Sequence, residues 1–413
     1  ANKLVGVIDP EKASALAVAC DRIINGELAD QFVVDMIQGG AGTSTNMNMN
    51  EVLVNAALEA MGHSKGEYQY LHPNDHANLG QSTNDTYPSS IKVATVSYLK
   101  DLILELKKLS LMLKKRADEF GDIIKMGRTE LEDAVPTTLA NSFNAFASFI
   151  DSDLEALSAA EEIMKVLNLG ATAIGTGINC HPNFGSQAIE LLSEITGDKY
   201  KKAKNLIAAT QDTADFVTVS AAVRTLAVHM IKIANDLRLM NSGPRCGLGE
   251  IELPKMQPGS SIMPGKVNPV ICEVTLEACY QSMGYDLTVT LCSQRGEFEL
   301  NAVEPGIAYA LFNELSLMTN AVRTLRDYAV EHLVPRKDDC LKAVMNSVGL
   351  VTAFNPHLGY EKSASIAKEA LETGKSVAEI CLNRGYLNAD QIKEILKPEN
   401  MLNPNMLKKR EEL

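Results

Sequence analysis

The segment from Phe216 to Met230 limits the fold more than any other feature of this sequence. Val217, Val219, Ala221, Ala222, Val223, Leu226, Ala227 and Met230 leave little of one helix polar. A helix that is apolar nearly all round has to be covered on several sides. This helix reads as part of a longer one over 205–241, and four more long helices are expected near 91–113, 136–167, 269–299 and 305–330. Over 91–113, Leu99, Leu102, Ile103, Leu106, Leu109 and Leu113 recur at steps of three or four, the helical period. These stretches exceed the usual globular helix of about 10–14 residues. They cannot all cover one another within one chain. A bundle shared between copies of the chain is therefore expected, with dihedral symmetry.

The 413 residues are 46% hydrophobic, enough for a large core. After about residue 335 the periodic stretches shorten, to 338–353, 359–371, 375–383 and 388–396. They read as a small helical C-terminal domain, and the charged end Asn403–Leu413 is expected to fray. The expected division is 1–80, 81–335 and 336–413.

A net charge of −13 argues against nucleic acid as a partner, and the absence of tryptophan argues against a base-stacking surface. The basic run Lys107, Lys108, Lys114, Lys115 and Arg116 reads as the solvated face of a helix. No uncharged apolar run reaches the roughly 18–20 residues of a membrane span, and no signal-peptide pattern opens the chain. Eight cysteines without a CxxC pair fit reduced thiols in the cytoplasm. Cys272 and Cys279 stand seven apart, on one helix face, and read as core packing.

The residues that could carry chemistry lie in loops. Gly259-Ser260-Ser261-Ile262-Met263-Pro264-Gly265-Lys266-Val267-Asn268-Pro269 sets two hydroxyls before a lysine and an amide at the mouth of a long helix. Its glycines free the backbone, its prolines restrict it, and the helix dipole favours an anion there. Gly39–Asn46 packs hydroxyls behind a Gly-rich turn but lacks the phosphate-loop spacings. Gln81-Ser82-Thr83-Asn84-Asp85 offers polar donors before a helix, in caps or at an anion. Gly127-Arg128-Thr129-Glu130 precedes the helix expected from 136, as a capping box or a binding turn. Gly170–Asn179 reads as tight turns against helices or as a binding loop. His72 and His76 have a metal-like spacing, but Pro73 favours an extended entry and no third ligand is evident, so no metal site is expected. No Ser-His-Asp order or GxSxG elbow supports a hydrolase. Loops rich in Ser, Thr and Asn with one Lys suit a carboxylate ligand.

Together these motifs resemble the aspartase/fumarase superfamily over nearly the whole chain, most specifically through GSSIMPGKVNP. Gly40–Asn48, Thr83 in Gln81–Asp85 and Leu169–Gly177 are similar to the aspartate ammonia-lyase branch. The resemblance implies an all-α, three-domain subunit with a central long-helix bundle. It implies a homotetramer around a twenty-helix core, with active sites shared by three subunits and a small dicarboxylate substrate. By motif, Ser260 would remove the Cβ proton. Thr43, Ser82, Thr83 and Ser261 would hold the adjoining carboxylate, and Lys266 and Asn268 the other. Asn84, Thr129 and Glu130 would face the amino group. No redox cofactor is implied; divalent-cation activation stays open.

Two departures from the pattern stand out. Fumarases carry His at the position of Glu130, paired with the counterpart of Glu273. Two carboxylates meeting there would share a proton unless a cation separated them, and a substrate ammonium is such a cation. The family also has roughly sixty residues before the point matching Ala1. Fumarate hydration on the same scaffold, larger-substrate lyases sharing the Ser loop, and a catalytically silent oligomer are the alternatives.

Overall fold

A computed structural model describes residues 1–402; the end expected to fray, 403–413, lies outside the described residues. Helices α1 (Pro10–Ile24) and α2 (Thr43–Ala60) share a core of Ala15, Ala19, Val54, Ala57 and Leu58. Helix α3 (Thr83–Phe120) outruns the expected 91–113 at both ends. A hairpin of β1 (Ile124–Thr129) and β2 (Glu132–Thr138) follows, then α4 (Leu139–Met164). The helix expected from 136 begins later because Pro136 and Thr137 belong to β2. Thr138 Oγ1 then accepts from the amide of Asn141 at 3.0 Å and starts the helix.

Strand β3 (Val166–Leu167) pairs in parallel with β4 (Lys201–Lys202), around α5 (Phe184–Thr196). The stretch 205–241 divides into α6 (Leu206–Gln211) and α7 (Ala214–Met240), with Asp212 accepting from the amide of Ala214 at 2.9 Å between them. Strand β5 (Ile251–Glu252) pairs antiparallel with β6 (Val334–Pro335). Between them run α8 (Val270–Ser293) and α9 (Glu304–Leu325), the latter continued by a π-helical turn, Arg326–Val330. The C-terminal helices are α10 (Lys337–Asn346), α11 (Val351–Leu358), α12 (Tyr360–Thr373), α13 (Val377–Asn383), α14 (Ala389–Ile395) and α15 (Pro398–Met401). The last five surround their own core of Phe354, Ile366, Val377, Ile380 and Ile392. The fold is helical, with three two-stranded ribbons among the described residues.

Two compact units divide the chain, with limits inside α3, α4, α7, α8 and α9. The first comprises Ala1–Glu105, Ser152–Val228 and Glu277–Ala321. In it Tyr98 stacks on Phe312 at 5.2 Å, and Lys92 pairs with Asp215 at 2.5 Å. Buried Ser220, Asp286 and Glu314 meet between α7, α8 and α9. Among the described residues α7 alone is long and apolar enough, by length and composition, to cross a membrane. Its Val219, Val223 and Leu226 are fully buried, and its Arg224 pairs with Asp286 of α8 at 2.8 Å.

The second unit comprises Leu106–Asp151, His229–Leu276 and the chain from Val322 onward. Phe120 packs edge-on against Phe143, and Phe149 stacks on His229. Ile124 and Met126 of the hairpin share a core with Val344 and Leu350. Cys272 of this unit and Cys279 of the first are each buried, and burial pushes each thiol up to about 12.

Candidate active site

In the first unit the Gly-rich turn ends on Gly42, the N-cap of α2, at φ +91°. A Cβ there would stand 2.4 Å from the ring of Tyr87, so the turn is seated on that tyrosine. Thr43 opens α2 and its Oγ1 donates to Gly40 O at 2.8 Å. Asn46, one turn along α2, donates from Nδ2 to Thr83 Oγ1 at 2.9 Å and to Asn78 Oδ1 at 3.2 Å. That amide joins the Thr43 turn to the start of α3.

Ser82 Oγ accepts from the amide of Asn84 at 3.2 Å, the capping role open to this segment. Asn84 Nδ2 is committed to Ala173 O at 2.8 Å. Its Oδ1 is then the atom suited to accept from a cationic N–H. Pro88 lies inside α3 and cannot donate to the carbonyl four residues back, that of Asn84. Asn168 Nδ2 fills the gap, donating to Asn84 O at 3.1 Å.

Asp85 is fully buried and welds this segment to the Gly170–Asn179 loop. Its Oδ1 accepts from the Ser82 amide, and its Oδ2 from the amides of Gly170 and Thr172, all at 3.0 Å. Burial pushes its pKa up, while these amides and that of Thr86 pull the other way. The loop itself is built of tight turns against helices. A Cβ on Gly175 would lie 2.4 Å from the backbone of Ile207.

In the second unit the Gly259–Pro269 segment folds into a compact exposed loop. Ser260 N donates to Lys266 O at 2.8 Å, and Lys266 N to Met263 O at 3.1 Å. Ser260 Oγ accepts from the amides of Ile262 and Met263 at 3.3 and 3.1 Å. Amides aimed at a hydroxyl oxygen favour its ionised form. Ser261, Ile262, Met263 and Lys266 are exposed, whereas Asn268 is half-buried just before α8. Lys266 and Asn268 line a cleft of about 470 Å³ with Arg245, Lys255 and Arg336. Glu273 sits in the first turn of α8, its amide donating to Pro269 O.

Thr129 and Glu130 require a correction. They do not cap the helix that follows, because β2 lies between them and α4: Thr129 ends β1 and pairs with Glu132, leaving Glu130 and Leu131 as a two-residue hairpin turn. Both have positive φ, 55° and 68°, a conformation that favours glycine. Both are exposed. His72 and His76 serve as hydrogen-bond acceptors: His72 Nδ1 from the amides of Asn74 and Asp75, His76 Nδ1 from that of His72. No group of three or more potential metal ligands occurs among the described residues.

The structure thus joins Thr43, Ser82, Thr83 and Asn84 in one unit. In the other it sets Thr129 and Glu130 on a hairpin tip, and Ser260 to Asn268 on a loop. Sequence reasoning missed the scaffold of Asn46, Asn78, Asp85 and Asn168. Pro88, five residues into a helix, was the available signal that a side chain must serve a freed carbonyl.

A family model described as lyase matches residues 1–284, and one described as fumarase C C-terminus matches 350–403. The chain belongs to the aspartase/fumarase superfamily. Within the superfamily it is 52% identical over 409 residues to a Helicobacter pylori protein named aspartate ammonia-lyase, covering 99% of this chain and 87% of that one. A Brucella melitensis structure, described as fumarate lyase:delta crystallin bound to cobalt, superposes with a TM-score of 0.95 at 45% identity, covering 98% of this chain and 87% of that one. A class II fumarase from Schistosoma mansoni superposes at 0.94 with 33% identity, covering 98% and 88%. The superfamily fold accounts for the long helices met in the sequence.

Proposed function

We infer that this chain is an aspartate ammonia-lyase, converting L-aspartate reversibly to fumarate and ammonia. The observation that carries this reading is the 52% identity, over 99% of the chain, to a relative of that name. The fumarase is more distant at 33%, so hydration of fumarate is not favoured.

In the proposed mechanism Ser260 is the base. Its alkoxide takes the proton from Cβ, and the electron pair of that C–H bond moves into the adjoining carboxylate as an aci-carboxylate. That pair then returns to form the double bond of fumarate. The Cα–N bond breaks and its electrons leave with ammonia. Thr43, Ser82, Thr83 and Ser261 hold the carboxylate on which charge grows, where preorganised donors count most. Lys266 and Asn268 hold the other. The amides of Ile262 and Met263 on Ser260 Oγ support the alkoxide, and exclusion of water by the loop would strengthen them. Asn84 Oδ1, Thr129 and Glu130 receive the ammonium, with Glu273 behind them. These steps move one proton and the electron pairs of the C–H and C–N bonds with no net oxidation or reduction, so no redox cofactor is needed.

The active enzyme is proposed to be a homotetramer whose sites draw on three subunits. The exposed Tyr280, Leu287 and Leu291, which helical spacing puts on one face of α8, support this, because an exposed apolar face of that kind marks association. The division 1–80, 81–335 and 336–413 is retained as the domain proposal, and eight free cysteines fit a reducing cytoplasm. The purified chain should generate the ultraviolet absorbance of fumarate from L-aspartate. A rise with malate and none with aspartate overturns the assignment.

A further inference from the structure

We propose that Glu250 is a positioning residue: it sets the hairpin turn carrying Thr129 and Glu130, and so tunes how the enzyme receives ammonia. The inference rests on the role given above to Glu130.

Glu250 is 1% exposed and fixed from its own backbone outward. Its amide donates to Met240 O at 2.8 Å, and its carbonyl accepts from the amide of Arg336 at 2.9 Å and from Cys340 Sγ at 3.5 Å. Its carboxylate meets two cations of β1. Oε1 accepts from Arg128 Nη1 at 2.5 Å, and Oε2 forms an ion pair with Lys125 Nζ at 2.9 Å, off hydrogen-bond geometry. Both cationic side chains are nearly buried.

Residues 125 and 128 would face opposite sides of a regular strand, because side chains alternate. They reach one carboxylate because the register shifts between Met126 and Arg128. Gly127 permits the shift, for a Cβ there would stand 2.6 Å from Val135 O. Arg128 braces the irregularity by donating from Nη1 to Met126 O at 3.2 Å. Beyond it lies the turn in which Glu130 and Leu131 both hold positive φ. Strained turns persist where their surroundings over-determine them. Glu250 supplies that constraint by fixing the rotation of β1 immediately before the tip. Lys125, Arg128, Glu130 and Glu250 line one cavity of about 440 Å³, so the clamp and the turn share a wall.

The test is Glu250→Gln, which keeps the shape and removes the charge. In the amination direction KM for ammonia should rise by about tenfold to a hundredfold, the cost of a misplaced contact. KM for fumarate should stay within about twofold, since the groups proposed for its carboxylates lie elsewhere. Lower thermal stability is expected for any buried ion-pair variant and decides nothing; the split between the two KM values does. Arg128→Lys, which keeps the charge but cannot hold Glu250 and Met126 O together as Nη1 does, should show the same split and serves if Glu250→Gln does not fold. Both KM values unchanged, or both rising together, overturns the proposal. An active wild type without the split in the variants sinks the positioning role alone; a wild type inert to fumarate plus ammonia sinks the reading of Glu130 with it.

Discussion

The amide of Ser260 donates to the carbonyl of Lys266 at 2.8 Å, and this bond closes the base of the Ser loop. Gly259 makes the closure possible. It sits at φ +95°, and a Cβ on it would stand 2.6 Å from that same carbonyl. Gly259→Ala should therefore open the base of the loop while leaving the helices intact. Turnover should fall about 10²-fold with an unchanged circular dichroism spectrum, the cost of small displacement at a reacting group. Near-normal turnover would show that the closed base is not needed.

The hairpin tip combines strain and function in adjacent residues. Leu131, at φ 68° and 69% exposed, should be improved by glycine: Leu131→Gly is expected to gain about 1 kcal/mol, read from thermal unfolding. Glu130→Gln keeps the backbone but loses the charge proposed to face the ammonium. It should raise KM for aspartate. If KM and kcat are both unchanged, Glu130 does not face the amino group.

Glu314 gives a pH dependence of stability. Burial among α7, α8 and α9 pushes its carboxyl up to about 8, against 4.5 for an ordinary glutamate. Ser220 Oγ lies 2.8 Å from Glu314 and 3.0 Å from Asp286, yet has one proton to give. A protonated Glu314 supplies the second. Ser282 also donates to Glu314, and Arg224 neutralises Asp286. Because the folded state holds this proton more tightly than the unfolded state, the stabilisation is complete below about 4.5. It is lost as the pH rises toward 8. The melting temperature should decline over that window, and Glu314→Gln should flatten the decline. An equal decline in the variant would assign it to other groups, Glu304 first, which is also raised to about 8 by burial.

The sequence and the structure agree most where periodicity governs. Leu99, Leu102, Leu106, Leu109 and Leu113, chosen by spacing alone, are all fully buried in α3. The Ser loop was legible because Gly259 and Gly265 have positive φ and its prolines restrict the remainder. The 124–138 hairpin was not legible. Its strand carries Lys125 and Arg128, two buried or nearly buried charges whose common partner, Glu250, lies 122 positions beyond Arg128. Likewise Asp85 read as part of a cap, because the amides of Gly170 and Thr172 come from far along the chain. Local pattern reports propensity and burial. It does not report which distant group neutralises a buried charge.

The most direct measurement of the proposed chemistry is fumarate formation from saturating aspartate by Ser260→Ala, beside the wild type, at matched oligomeric state. Loss of a base that acts on carbon should lower turnover by about 10²–10⁴-fold, with substrate affinity largely kept. Turnover within tenfold of wild type would contradict Ser260 as the base and move the search to another group.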